Sequence, residues 1–538
     1  MAKNDKKLNL KKSWGELKSE NFNFSLIESY FRNKDNSKFF QEISDKTAND
    51  IDLTELFMFV DRTHSKIGQQ YLYNKLRIID SNSNFNDQEN LIEYYLKNED
   101  QRLRSQLLLS KLDKHESYFL ASLFQDKYVD KPQWFWIIPT LSVFSIISLV
   151  LAFIIPNFFL VYVLILVVNL MLHYWNKKNI YLYTDSIPQL LRLFQVTRNL
   201  LKIHPEESVK KSLDTLSAYK RSMGLFSLES KMDSDFAISF WLLMEYLKIS
   251  FLIEPIVVFR VLKKLDRKRD EIHTLFKYVG KIDTAISLGS LRVSLKTYCN
   301  PEFLSENQSL RFEEIYHPLI PDCITNSLVL DRKSILLTGS NMSGKTTFIR
   351  MVAINALCAQ TINTCFAKEF ALKPMRIYSA IRISDDLMND KSYYFEEVLT
   401  VKQMITESQS SSCNLFLLDE IFKGTNTIER IAAGKAVLSY IAKNNNLVFV
   451  STHDVELTDM LRDSYELYHF TETVENNSIY FDYKLKEGNL STRNAIKILE
   501  LNAYPAEITN EAKDISRNVS GFEFLDVSYL CPNKKKES

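Results

Sequence analysis

Gly339-Ser-Asn-Met-Ser-Gly344-Lys345-Thr346 follows the apolar run Ser334–Thr338 and opens a helical pattern from about 345 to 358. The spacing is GxxxxGK[ST], and between a strand and a helix that spacing means a phosphate cradle. Glycine is scarce, with eleven in 538 residues, yet Gly339, Gly344, Gly424 and Gly434 all fall in this part of the chain. A loop that wraps phosphates with its own N–H groups needs backbone freedom at its two glycines. The backbone of Ser340, Asn341, Met342 and Ser343, continuing through Thr347, is expected to hold the phosphates of ATP, helped by the helix N-terminus. Lys345 is expected to reach the β- and γ-phosphates, and the Thr346 hydroxyl to ligand Mg²⁺.

Further along, Leu415-Phe-Leu-Leu-Asp419-Glu420 is an apolar strand ending in two carboxylates. An Asp in that position holds Mg²⁺ in P-loop enzymes. Glu420 beside it is placed to polarise the attacking water as general base. Leu447-Val-Phe-Val-Ser-Thr-His453 is a second apolar strand, and its terminal imidazole suits a sensor of the γ-phosphate. Between the two lies the turn-rich Lys423-Gly424-Thr425-Asn426-Thr427. P-loop, acidic strand, D-loop and switch histidine follow one another as in an ABC-type ATPase head.

Composition bounds the rest. The chain has 46% hydrophobic and 25% charged residues and a net charge of +1, which excludes a wholly disordered or strongly basic protein. Basic clusters at Lys6, Lys7, Lys11 and Lys12 and at Lys534–Lys536 read as solvated tails. The six cysteines form no CxxC pair, so neither zinc nor a disulfide frame is indicated, and a reducing compartment is expected. Residues 1–20 are polar and do not form a signal peptide.

Residues 132–176 contain no Asp, Glu, Lys or Arg. A spanning helix takes ~20 apolar residues, so the stretch suffices for two, divided at Pro156-Asn157. Trp134, Trp136, Tyr174 and Trp175 stand at its outer ends, with Lys127, Lys131, Lys177 and Lys178 flanking them. Aromatic belts and the positive-inside rule then give a transmembrane hairpin, about 134–155 and 157–175, with both flanks cytoplasmic. Residues before it and from 180 to 300 carry helical periodicity, as in Pro188–Ile203 and Phe251–Leu275.

The LSGGQ signature of common ABC heads is absent. Ser384-Asp385-Asp386-Leu387 and Ser392-Tyr-Tyr-Phe-Glu-Glu397 precede the acidic strand instead. With Asp419-Glu420, Gly424-Thr-Asn-Thr427, Thr452-His453, the His317-Pro318 pair and the Asn341-Met342 form of the P-loop, the chain resembles the MutS family of DNA mismatch-repair ATPases. Upstream, Asp61-Arg-Thr-His-Ser-Lys-Ile-Gly68 is similar to the family's DxTxTxxG, and Ile282-Asp283 to the end of its lever helices. Ser340, Ser343 and Arg382 depart from the family's usual Pro, Gly and Gly. About 50 residues precede the core, too few for the family's mismatch-reading and connector domains.

The resemblance implies a head-to-head dimer in which Ser392 reaches the nucleotide held by the partner subunit. It also implies an adenine-stacking ring from a strand over Ile479–Gly488, where Tyr483 stands. The expected architecture is an α/β P-loop NTPase head of ABC/MutS type, an all-α lever and core region, and the hairpin. Its expected boundaries are an N-terminal segment 1–50, core 51–131, hairpin 132–176, second core part 177–303, ATPase 304–515 and tail 516–538. The expected activity is ATP hydrolysis with Mg²⁺ at a membrane, a bacterial inner membrane fitting best. It is coupled to duplex DNA or, alternatively, to a membrane-bound protein partner without DNA.

Overall fold

A computed structural model describes residues 2–80, 84–126, 133–223, 237–304, 310–331, 333–340, 342–382, 393–475, 478–489 and 495–522. The chain divides into two compact units. One comprises residues 1–48, 52–298 and 357–364; the other comprises 49–51, 299–356 and 365–538.

The first unit is helical and is built round the helix Arg269–Ser294. Seventeen of that helix's 26 residues are buried, because helices Lys66–Arg77, Asn86–Lys97 and Glu207–Ser217 all pack against it. Leu275, Phe276, Val279, Ile282 and Ile286 mark its core face. Their i, i+3, i+4 spacing is what a helix needs to bury one stripe.

A buried acid fixes the pairing with Lys66–Arg77. Asp283 accepts hydrogen bonds from the N–H groups of His64 (2.9 Å) and Ser65 (2.8 Å) and from the Ser65 hydroxyl (2.5 Å). Ser65 in turn N-caps Lys66–Arg77 by accepting from the Gly68 N–H. A Cβ on Gly68 would come within 2.6 Å of Asp283 Cγ, so only glycine lets the two helices approach this closely. Asp61 is also fully buried. Burial would raise its pKa, but the Lys18 ammonium and bonds from Thr63 and Gln69 hold it below the usual value.

The apolar hairpin belongs to this unit. Its helices are Ile137–Ala152, preceded by a 3₁₀ turn over Gln133–Trp136, and Phe158–Leu200. The two apolar stretches, Gln133–Ala152 and Phe158–Trp175, are long and apolar enough to cross a membrane, and each is mostly exposed. The second helix does not stop at 175. It runs 43 residues, through Pro188, and buries Ile187, Leu190, Leu193, Phe194, Val196 and Leu200 in the helical core. The change from apolar to charged sequence near 176 is therefore not a helix end. The expected helix over Phe251–Leu275 is likewise split, into Ile253–Leu265, a 3₁₀ turn and the start of Arg269–Ser294.

The second unit is α/β. We number the strands of its six-stranded sheet β1 (Ser334–Thr338), β2 (Arg376–Ala380), β3 (Asn414–Asp419), β4 (Asn446–Ser451), β5 (Tyr465–His469) and β6 (Lys486–Glu487). They lie in the order β6-β5-β1-β4-β3-β2, all parallel except β6. β1 and β4 are buried at every residue, as a parallel sheet covered on both faces requires. A second, four-stranded sheet contains Leu310–Ile315 and Asn326–Leu330. The strand order reverses at β1, and ligands of open α/β sheets bind outside the carboxyl ends of strands at such a point.

Gly68→Ala is expected to destabilise the helical unit by about 1–3 kcal/mol through overpacking. Asp283→Ala should cost about as much or more, by orphaning the buried donors of residues 64 and 65. Thermal unfolding of the detergent-solubilised protein checks both, and unchanged midpoints would disprove the pairing's role.

Candidate functional site

β1 ends at Thr338, and the chain turns through the P-loop into the helix Lys345–Ile362. Gly339 and Gly344 have φ of 149° and 103°, which a side chain would strain. A Cβ at Gly339 would also sit 2.7 Å from Ser343 Oγ. The loop is cross-braced: Ser343 Oγ donates to the Ser340 carbonyl (2.8 Å), and Ser340 Oγ donates to Glu472 Oε2 (2.8 Å). Lys345 is buried and curls back, donating to the carbonyls of Gly339 and Ser340 at 2.8 Å each. Burial lowers its pKa, against the opposing pull of Glu420 and Asp419. Met342 is 81% exposed at the loop's tip, and Thr347 lines the cavity beside it. Asn341 and Ser392 lie outside the described residues, as do Ser384–Leu387.

The carboxyl ends of β3 and β4 complete the floor. Thr346 Oγ1 donates to Asp419 Oδ2 at 2.8 Å, and Ser451 Oγ donates to Asp419 Oδ1. The pair Thr346–Asp419 offers two hard oxygens side by side. That donor set fits Mg²⁺, which keeps most of its shell as water and phosphate oxygens. Among the described residues no group of three or more His, Cys, Asp or Glu is assembled for a metal.

Glu420 leaves β3 with φ of 54°. Its Oε1 stands 2.6 Å from His453 Nε2, and its Oε2 3.0 Å from Lys423 Nζ. The His453 contact, outweighing burial and helped by Lys423, pulls the Glu420 carboxyl down to about 2. Phe422, also left-handed at φ 60°, donates its N–H to the buried Glu397. Asn426 caps helix Thr427–Ile441 by accepting from the Glu429 N–H (3.0 Å), so the D-loop ends in a fixed helix start.

An 810 Å³ cavity opens over this floor, lined by P-loop residues, Glu420, Ile320–Ile324, Phe481 and Tyr483. Tyr483 is not on a strand as expected. It occupies the turn between Ser478–Phe481 and β6, with φ of 51°. Its ring stacks on Phe481 at 5.8 Å, and a Cβ on Gly344 would meet it at 3.1 Å. Sequence reasoning missed Asn326, which fixes that turn by donating to the Tyr483 carbonyl (3.1 Å) and accepting from the Leu485 N–H (2.8 Å). Its only sequence signal is a polar residue at the start of a strand. His317 is buried, and its Nδ1 accepts from the Leu319 N–H (3.3 Å), ordering the loop that supplies Ile320–Ile324.

Glycine loop, helix N-terminus, adjoining Thr and Asp, and a carboxylate–imidazole pair at the carboxyl edge of a parallel sheet define a P-loop nucleotide-binding head. The family model MutS domain V matches residues 335–520. DNA mismatch repair protein MutS of Listeria monocytogenes serotype 4b is 33% identical over 260 residues, covering 46% of this chain and 30% of that protein. MutS of Clostridium botulinum strain Okra is 28% identical over 289 residues, covering 51% and 31%. MutS of Geobacillus sp. strain WCH70 is 30% identical over 261, covering 45% and 29%. Residues 335–520 are thus similar to MutS domain V, and the chain spans about a third of the length of the curated relatives it matches.

The depressed Glu420 pKa has a definite sign. A carboxylate with a folded pKa near 2 against an ordinary 4.5 adds stability above pH 4.5 and loses it as pH falls toward 2. The stability gap between wild type and Glu420→Gln should therefore narrow as pH falls from about 4.5 toward 2. Urea titrations across that fall check it; a gap unchanged from about pH 5 down to 2 would contradict the assignment.

Proposed function

We propose that the protein is a membrane-anchored MutS-type ATPase that hydrolyses ATP between two head domains. The observation that carries the ATPase reading is the Thr346–Asp419 pair at 2.8 Å beside Glu420 and His453 under the P-loop. In that reading the P-loop N–H groups and Lys345 bind the β- and γ-phosphates. The Thr346 hydroxyl and Asp419 hold Mg²⁺, which supplies charge neutralisation at the phosphate oxygens. Glu420 accepts a proton from the water as it attacks the γ-phosphorus in line, and His453 holds Glu420 and senses the phosphate. The Tyr483 ring, stacked on Phe481 at the cavity wall, is the adenine platform. Ser392 acts on the nucleotide of the partner subunit, a role that rests on the family resemblance of Ser392-Tyr-Tyr-Phe-Glu-Glu397.

The membrane reading rests on the exposed apolar faces of the hairpin, including Phe144, Val150, Leu164 and Met171. Duplex DNA is the first coupled ligand to test, because the matched relatives are named for DNA mismatch repair. A second reading, in which the head acts on a membrane-bound protein partner and DNA has no part, is favoured by the same hairpin.

Glu420→Gln should retain ATP binding while kcat falls by about 10²–10⁴. A variant hydrolysing at the wild-type rate would remove Glu420 from the mechanism. Duplex DNA should raise the wild-type rate in a salt-sensitive way; no binding at low salt would overturn the DNA coupling and leave the ATPase reading standing. Tyr483→Ala should weaken ATP binding by about fivefold and inorganic triphosphate binding hardly at all, one lost aromatic contact being worth about 1 kcal/mol.

A further inference from the structure

Helix Ala237–Ser250, sequence AISFWLLMEYLKIS, is apolar apart from Glu245 and Lys248. At 14 residues it is too short to cross a bilayer, and apolar helices of that length are buried core helices or re-entrant segments. At its end Leu252 is buried and left-handed (φ 46°, ψ 38°), and the chain reverses into helix Ile253–Leu265.

This pair packs on the apolar hairpin through polar contacts on one face of its second helix. Tyr162, Asn169 and His173 are spaced i, i+7, i+11 and are all buried there. Asn169 Nδ2 donates to the Ser250 carbonyl (2.7 Å) and to Ser145 Oγ of the first hairpin helix (2.9 Å). The Tyr162 hydroxyl stands 2.6 Å from that of Tyr246 and donates to Ser250 Oγ (3.2 Å). His173 Nε2 lies 3.6 Å from Glu245, which pairs with Lys248 at 3.4 Å.

These contacts give depth. Asn169 is six residues from Trp175, about 9 Å along the axis. Ser250 therefore sits near the middle of the apolar layer, while Glu245 sits nearer its charged edge. On the return, Phe259 meets Phe135 at the Trp134–Trp175 end, ring centroids 4.8 Å apart. Arg260, Lys263 and Lys264 are exposed beyond it, where long basic side chains reach an interface. Leu243 and Tyr246 are exposed, Tyr246 at the edge of the contact where its hydroxyl also reaches Tyr162.

We infer that residues 237–265 form a re-entrant helical hairpin that enters the hydrocarbon layer beside the spanning pair, turns at Phe251–Leu252 and returns to the same side, with Asn169 capping its turn. Irregular backbone at membrane depth survives only where protein satisfies it. The last carbonyls of a helix have no partner within the helix. Asn169 supplies one to Ser250, which explains an amide in the middle of an otherwise apolar span. The occupant of the outer face of Ala237–Ser250 is the acyl chain of lipid.

The inference rests on the membrane reading, and one experiment separates the two. The full chain, in nanodiscs of phosphatidylcholine and phosphatidylglycerol, carries the photoreactive residue p-benzoylphenylalanine at Leu243, Val150 or the exposed Lys210. Lipid adducts measured by mass spectrometry are expected at Leu243 and Val150 and not at Lys210. Adducts at Val150 without Leu243 would overturn the re-entrant hairpin and leave the anchor. Adducts at neither would overturn both. Asn169→Ala should lower the Leu243 yield by about tenfold, the worth of a buried carbonyl left unsatisfied, with Val150 unchanged. An unaltered Leu243 yield would overturn the capping role.

Discussion

The head is organised round the carboxylate of Asp419. One of its oxygens takes the Thr346 hydroxyl from the first turn of the P-loop helix, and the other takes the Ser451 hydroxyl from the end of β4. A carboxylate beside a hydrophobic sheet must have its lone pairs filled. Filling them here ties three elements at one level. That tie sets where β3 can end. Had β3 continued, Glu420 would project to the opposite face of the sheet, since successive strand residues alternate. It leaves the strand in a left-handed conformation instead, with its N–H on the Ser451 carbonyl (3.0 Å) and its carboxylate against His453. Left-handed φ at Glu420 and again at Phe422 costs about 1–2 kcal/mol per residue. Their bonds to β4 and to Glu397 hold the bend.

What could be read from the sequence follows from how local each signal is. The P-loop, the Asp419-Glu420 strand and the His453 strand each declare themselves within a few residues, because glycine spacing and apolar runs are short-range patterns. β1, β3 and β4 accordingly fall within a residue of where the apolar runs place them. The turn at Tyr483 is different. Nothing in Asp482-Tyr483-Lys484 announces a left-handed tyrosine; the conformation is imposed from outside by Asn326, which is 157 residues away in the chain. Asp283 and Gly68 illustrate the intermediate case. Both stretches stand out in the sequence, yet that the carboxylate of one fills the space left by the missing Cβ of the other is a tertiary fact.

The hairpin shows the opposite error, reading a change of sequence polarity as a helix end. Charge begins near residue 176, but Phe158–Leu200 is one helix whose inner half is core. The apolar stretch is thus continuous with the helical unit through Phe158–Leu200 and is part of its architecture.

Each charged group at the nucleotide site has a protein partner of its own. Lys345 holds two loop carbonyls, while Glu420 holds His453 and Lys423. Phosphate cannot engage Lys345 unless the ammonium gives up bonds of similar number, so the gain on binding is the difference between a charged and a neutral acceptor. Charge-assisted bonds are roughly twice as strong as neutral ones, and that difference favours phosphate. Glu420 faces a stricter condition. To take a proton from water it must keep an unprotonated oxygen while still oriented, and its bonds to His453 and Lys423 serve both ends. They hold the side chain in place, and they keep its pKa near 2, so that in the proposed mechanism it is a weak base until those contacts are given up to the γ-phosphate. In that reading the basicity of Glu420 depends on phosphate taking up its neighbours, so a water molecule alone in the cavity meets a carboxylate that is already paired.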